Sequence, residues 1–296
     1  MFDIGANLTH RALRPRYHEL LDCARRASIS DISITAAHPD STRLALTMIE
    51  AADSPIDNHI ETPIALSTTT GLHPHLAAQY DERMGRRMRA YAAHPEVAAI
   101  GETGLDYFRM LAPAGEQQAC FRAHLRLAAD LGKPVFLHQR EAHQDFISIL
   151  RDYRANLVGV VVHCFTDNGE ALRDYLELDC SIGVTGWICD AKRGEQLRKL
   201  VAEIPDERLM IETDAPYLLP PEVKDKAWLE TLPPESAELT RILGRNNLPH
   251  NLPLVLKKVA ECRGQSEEAV AAFTTANARV FFGGCHLREE SRAPLN

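Results

Sequence analysis

The chain has 296 residues, 45% hydrophobic and 25% charged, the mixture of a globular protein with a large core rather than of a disordered, collagen-like or disulfide-stapled chain. Lys plus Arg number 33 against 41 Asp plus Glu, a net charge of −8. That balance argues against coating nucleic acid by bulk charge and leaves any anionic substrate to be held by local groups. Seven scattered cysteines without a C-x-x-C pair argue against a disulfide framework or a zinc ribbon and suit reduced thiols. The opening MFDIGANLTH has no signal-peptide pattern, and no apolar run approaches the roughly 18 residues of a membrane span. A cytoplasmic protein is expected.

In chain order, short β-rich runs occur at 2–5, 31–35, 64–68, 97–100, 134–137, 159–162, 180–184 and 209–211, each about as long as a buried strand. Segments of helical spacing lie between them, clearest at 116–131 and 171–178. Strand then helix, repeated, predicts parallel pairing. Eight even units favour a single α/β domain of the (β/α)8 barrel type over residues 1–284, rather than an open doubly wound sheet. The residues after the first run, GANLTH, are not the G-x-G-x-x-G of a dinucleotide fold. A Pro-containing insertion at about 219–244 is expected at the rim after the eighth strand, and 285–296 reads as a polar tail.

In barrels chemistry collects where strands end. There the chain places His73 and His75 (GLHPH), Glu102 and Asp106 (GETGLD), His138 and Arg140 (FLHQR), His163 (VVHCF), and Glu212 and Asp214 (IETDAPY). Imidazole with carboxylate is a ligand set for a divalent metal, and Glu102, His138 and His163 supply it. Asp214 would ligate the ion or accept a proton from water, although Asp before Ala-Pro is also a familiar helix or turn opening. Arg140 shares a strand face with His138 and could hold a phosphate oxygen. Arg193 and Trp187, after the seventh strand, could bind phosphate and stack on a base. Cys164, next to His163, is read as pointing away from the site, because neighbours on a strand face opposite sides. His124, Glu141 and His143 lie in helical stretches and read as solvated.

The set FDIGANLT, GLHPH, AIGETGLD, PVFLHQRE, VVHCFT, IGVTGW and IETDAPYLL resembles the TatD family of metal-dependent deoxyribonucleases, TatD proper above all, from Phe2 to Phe282. The resemblance implies an amidohydrolase-type (β/α)8 barrel and a magnesium-dependent exonuclease of the cytoplasm, with manganese or zinc as alternative ions. It implies metal ligation by Glu102, His138, His163 and Asp214, with His73 as the first histidine of the H-P-H motif. Many relatives begin D-x-H-x-H, whereas Gly5 and Asn7 stand at those two histidine positions here, which puts a second tightly bound ion in question. The family's R-N-E-P reads Arg245-Asn246-Asn247-Leu248, which raises the question of a different substrate preference.

The resulting expectation is a monomeric metal-dependent nuclease, a 3'-5' exonuclease preferring single-stranded DNA and extending to RNA. Asp214 would be the proton acceptor, and His73 would position the phosphate or protonate the leaving oxygen. His75, Arg140, Arg193 and Trp187 would bind the substrate. Two other readings stay open: a hydrolase of another ester or an amide, such as an aminoacyl-tRNA deacylase, and a non-catalytic binding or quality-control protein.

Overall fold

A computed structural model describes residues 1–52 and 63–283; the expected polar tail at 285–296 lies outside the described residues. Eight strands, β1 (Phe2–Ala6), β2 (Asp31–Ile34), β3 (Ala65–Thr70), β4 (Val97–Asp106), β5 (Val135–Arg140), β6 (Val160–Val162), β7 (Ser181–Val184) and β8 (Leu209–Ile211), pair in sequence order, every pair parallel. The ring closes where β8 returns to β1. The Asn7 N–H donates to the Ala215 carbonyl at 2.7 Å, and the Asp214 N–H to that of Gly5 at 2.8 Å. With both faces covered, such strands should be apolar throughout, and β6, Val-Val-Val, is buried along its length.

The crossovers are α1 (Tyr17–Arg26), α2 (Pro39–Ala52), α3 (Glu82–Ala92), α4 (Ala114–Leu131), α5 (His143–Tyr153), α6 (Gly169–Glu177) and α7 (Glu195–Leu200). After β8 come α8 (Lys226–Thr231), α9 (Pro234–Leu243), α10 (Leu252–Arg263) and α11 (Glu267–Gly283). A large apolar layer joins strands to helices. A second cluster, with Phe2, Ile4, Phe136, Val161 and Met210, fills the barrel and is stoppered by Phe282 of α11, leaving the opposite rim for polar chemistry.

Two expectations are refined. β4 and β5 run on through Glu102, Asp106, His138 and Arg140, so these residues belong to the strands rather than to the loops after them. The 219–244 insertion is folded into α8 and α9, and α9 buries Ser236, Ala237, Leu239 and Thr240 while packing against α1.

Candidate metal and hydrolytic site

The site is built on one carboxylate. Glu102 lies between Gly101 and Gly104, whose φ of +150° and +142° suit residues without a side chain. A Cβ at Gly101 would run into the Phe136 carbonyl, and one at Gly104 into that of His138. The glycines therefore let β4 stay against β5 while Glu102 projects into the mouth.

Three imidazoles meet its Oε1: His163 Nε2 at 3.0 Å, His138 Nδ1 at 3.1 Å and His73 Nε2 at 3.3 Å. Ligand atoms of His73, Glu102 and His138 all fall within 4.8 Å of one another. The second nitrogens differ. His138 Nε2 faces Asp106 Oδ2 at 3.4 Å, and His163 Nδ1 faces Glu212 Oε2 at 3.4 Å. His73 Nδ1 instead accepts the His75 backbone N–H at 3.1 Å, which puts the proton of the neutral His73 ring on Nε2.

Burial alone would raise the Glu102 carboxyl, but His73, His163 and His138 outweigh it and hold it well below the usual carboxylate range. Burial alone would lower His163; the charges of Glu212 and Glu102 reverse this and hold it well above the usual imidazole range. His138 is also raised, because hydrogen bonds to Asp106 and Glu102 overcome burial. His73 is lowered, burial outweighing Glu102. Asp106 is held well below its usual range because bonds from His138 and His75 exceed its desolvation. Asp214 is pushed well up, first by burial and then by the nearby charges of Glu212 and Glu102, against His163.

His75 Nε2 is bonded to Asp106 Oδ2 at 2.7 Å. Arg140, half-buried, lies over the Phe108 ring with Cζ 4.0 Å from its centroid. Arg193 bonds Asp190 through Nε at 2.8 Å and covers Trp187 at 4.5 Å, so an ion pair and a cation–π contact already engage both groups expected to meet substrate. Cys164 lies beyond β6 at φ +48°, and burial pushes its thiol well up, so it is no poised nucleophile. His124 corrects the solvated reading. It is fully buried, its Nδ1–H donates to the Cys120 carbonyl at 2.8 Å, and its Nε2 accepts the Leu72 N–H at 3.0 Å, next to His73. His143 is bonded to Asp174 and Tyr175.

Further residues, to which the sequence assigns no role, support the cluster. Buried Glu212 accepts the Cys164 N–H at 2.6 Å and occupies the space a Cβ at Gly5 would need. Asp3 accepts the Thr213 N–H at 2.9 Å and the Thr213 hydroxyl at 2.5 Å. Asn247 donates to the Thr213 carbonyl at 2.8 Å and clamps the turn that carries Asp214. This departure from R-N-E-P is fully buried and bonds backbone carbonyls of that turn, Thr213 and Leu218. A cavity of about 530 Å³ opens at the other end of the barrel beside Lys133, Arg154, Arg208 and Phe281, where Arg154 and Arg208 both pair with Asp179.

A carboxylate ringed by imidazoles at the C-terminal rim of a barrel indicates metal-assisted hydrolysis, and comparison with known proteins identifies the lineage. The family model described as TatD related DNase matches residues 2–283. The chain belongs to the TatD family. TatD relatives named 3'-5' ssDNA/RNA exonuclease TatD include that of Musicola paradisiaca, 39% identical over 95% of this chain and 97% of the relative. That of Escherichia coli K12 is 38% identical over 96% and 99%. The crystal structure of a TatD family hydrolase from Entamoeba histolytica superposes with a TM-score of 0.80 at 26% identity, covering 95% of this chain and 97% of that one. TatD membership agrees with the barrel and with a hydrolytic enzyme, and the relatives align along nearly their full length. No helix among the described residues is long and apolar enough to cross a membrane.

Proposed function

We propose that this protein is a metal-dependent 3'-5' exonuclease acting on single-stranded DNA and RNA in the cytoplasm, as a monomer, through one catalytic barrel and with magnesium as its ion. The observation that carries the reading is the convergence of His73, His138 and His163 on Glu102 Oε1. The donor set fits a divalent cation. Buried His138 Nε2 and His163 Nδ1 each face a carboxylate at 3.4 Å, Asp106 and Glu212, the outer support that ligating imidazoles usually have. His73 lacks that support, since its Nδ1 takes a backbone N–H. Glu102, His138 and His163 would therefore hold the ion.

A divalent cation there supplies the positive charge that polarises a phosphodiester and acidifies water. Glu102, Asp106, Glu212 and Asp214 would by themselves repel an anionic substrate, and that charge would balance them. Asp214, with its carboxyl pushed up by burial, accepts the proton of the attacking water. His73 presents Nε2–H to the phosphate or the leaving oxygen. Arg140, which has no acidic partner among the described residues, orients a phosphate oxygen.

The test uses end-labelled single-stranded DNA with Mg²⁺ and then with chelator, alongside a carboxylic ester and an aminoacyl-tRNA. Nucleotides released stepwise from the 3' end, and only with metal, support the proposal. Ester or aminoacyl-tRNA turnover alone would replace it with another hydrolase.

A further inference from the structure

Large apolar side chains are exposed at the mouth of the barrel, beside the cluster. Phe108, in the loop after β4, is 51% exposed and Tyr217, in the turn after β8, is 51% exposed. β4 and β8 lie four strands apart in the ring, so the loops that carry the two rings rise from opposite sides of the mouth. Phe108 is held on the inner side. Arg140 lies over its ring at 4.0 Å, and Arg140 shares with His138 the site-facing side of β5. Tyr217 is held by its backbone N–H to the Asp214 carbonyl at 2.8 Å and by an edge contact of its ring with His10, centroids 5.9 Å apart. Each ring is fixed on one side and open to solvent on the other.

We propose that Phe108 and Tyr217 are base-stacking platforms that take the nucleobases flanking the scissile phosphate of a single strand. The inference rests on the nuclease reading and adds the groups that select the form of the nucleic acid. Every base has a π face, so such platforms are indifferent to sequence. Bases within a duplex are already stacked on each other and are not free to use them. Arg140 then does two things: its charge faces a phosphate, and its guanidinium backs Phe108.

The test compares Phe108→Ala and Tyr217→Ala with wild type on a single-stranded oligonucleotide and on the same strand made abasic at its two 3' nucleotides. Each variant should raise KM for the normal strand roughly tenfold, within the range of one base–aromatic stack, with turnover nearly unchanged. On the abasic strand, variants and wild type should coincide, and Phe108→Trp should restore KM. Unchanged KM, or equal increases on both strands, would overturn the proposal. Fluorescence anisotropy with the same strands reads stacking without turnover. An inactive wild type that binds in this pattern would sink the nuclease reading alone, whereas equal binding by wild type and variants would sink the platforms.

Discussion

Asp214 sits at φ +54°, in the left-handed region that Asn and Asp tolerate best among residues with a side chain. No helix follows it directly, the next helical turn beginning at Pro221, so it is not a helix cap. Asp214→Asn should therefore keep the backbone and lose only the proton acceptor. Turnover on single-stranded DNA should fall at least about 10²-fold with binding little changed, the lower end for a positioned proton transfer. A rate within about twofold of wild type in single-turnover assays would remove Asp214 from the chemistry. The residues of this cluster were legible in the sequence because each stands at the end of an apolar run. The clamp made by Asn247 was not: the departure from R-N-E-P marks the position, but a neutral amide 33 positions beyond Asp214 leaves no trace in composition or period of the turn it clamps. His124 did carry a signal: Phe121, His124, Leu125 and Ala128, all buried, follow the spacing of an apolar helix face, and the histidine belongs to that face.

β4 is the element on which the site depends. A methyl at Gly104 would meet the His138 carbonyl at a φ of +142°, combining backbone strain with overpacking at a cost on the order of 3 kcal/mol. Gly104→Ala should lower the midpoint of thermal unfolding and displace Glu102, so that activity falls more than stability alone explains. Gly115, where an added Cβ meets nothing within 4 Å, is the control, and Gly115→Ala should leave both nearly unchanged. Equal behaviour of the two variants would contradict this role for the strand. The same glycines explain why the carboxyl end of β4 was hard to read. Hydrophobic periodicity locates a strand by its apolar residues, and here pairing continues through Gly-Glu-Thr-Gly, where that pattern is absent. The order and parallel sense of all eight strands depend on no such detail, so the repeated strand–helix alternation was enough to anticipate them.

Over the whole molecule, buried titratable groups set the response to pH. Burial lowers His124 and His250 to about 4, below the usual imidazole value. Their contributions to stability are thus fully present above about pH 6.5 and are lost as pH falls toward 4, each worth roughly 3 kcal/mol. Asp3, raised by burial to about 7, acts in the opposite sense: its contribution is fully present below about pH 4 and is lost as pH rises through 7. Urea unfolding between pH 7 and 4.5 should show a shallower acid loss in His124→Gln than in wild type. Identical slopes would mean that His124 is not held neutral in the fold.

Glu102 is the anchor of the proposed metal centre. Gly5 offers no ligand, its Cβ space is filled by Glu212, and Asn7 Oδ1 accepts the Thr9 hydroxyl at 3.0 Å, so about one tight ion is expected in the free protein. Calorimetric titration of Mn²⁺ into chelator-stripped wild type and Glu102→Gln, with nucleotide release followed in the same samples, tests this directly. Wild type should bind about one ion, with activity returning along the isotherm, and Glu102→Gln should show neither; nucleotide release by the stripped protein, or equal Mn²⁺ affinity in the variant, would contradict the account.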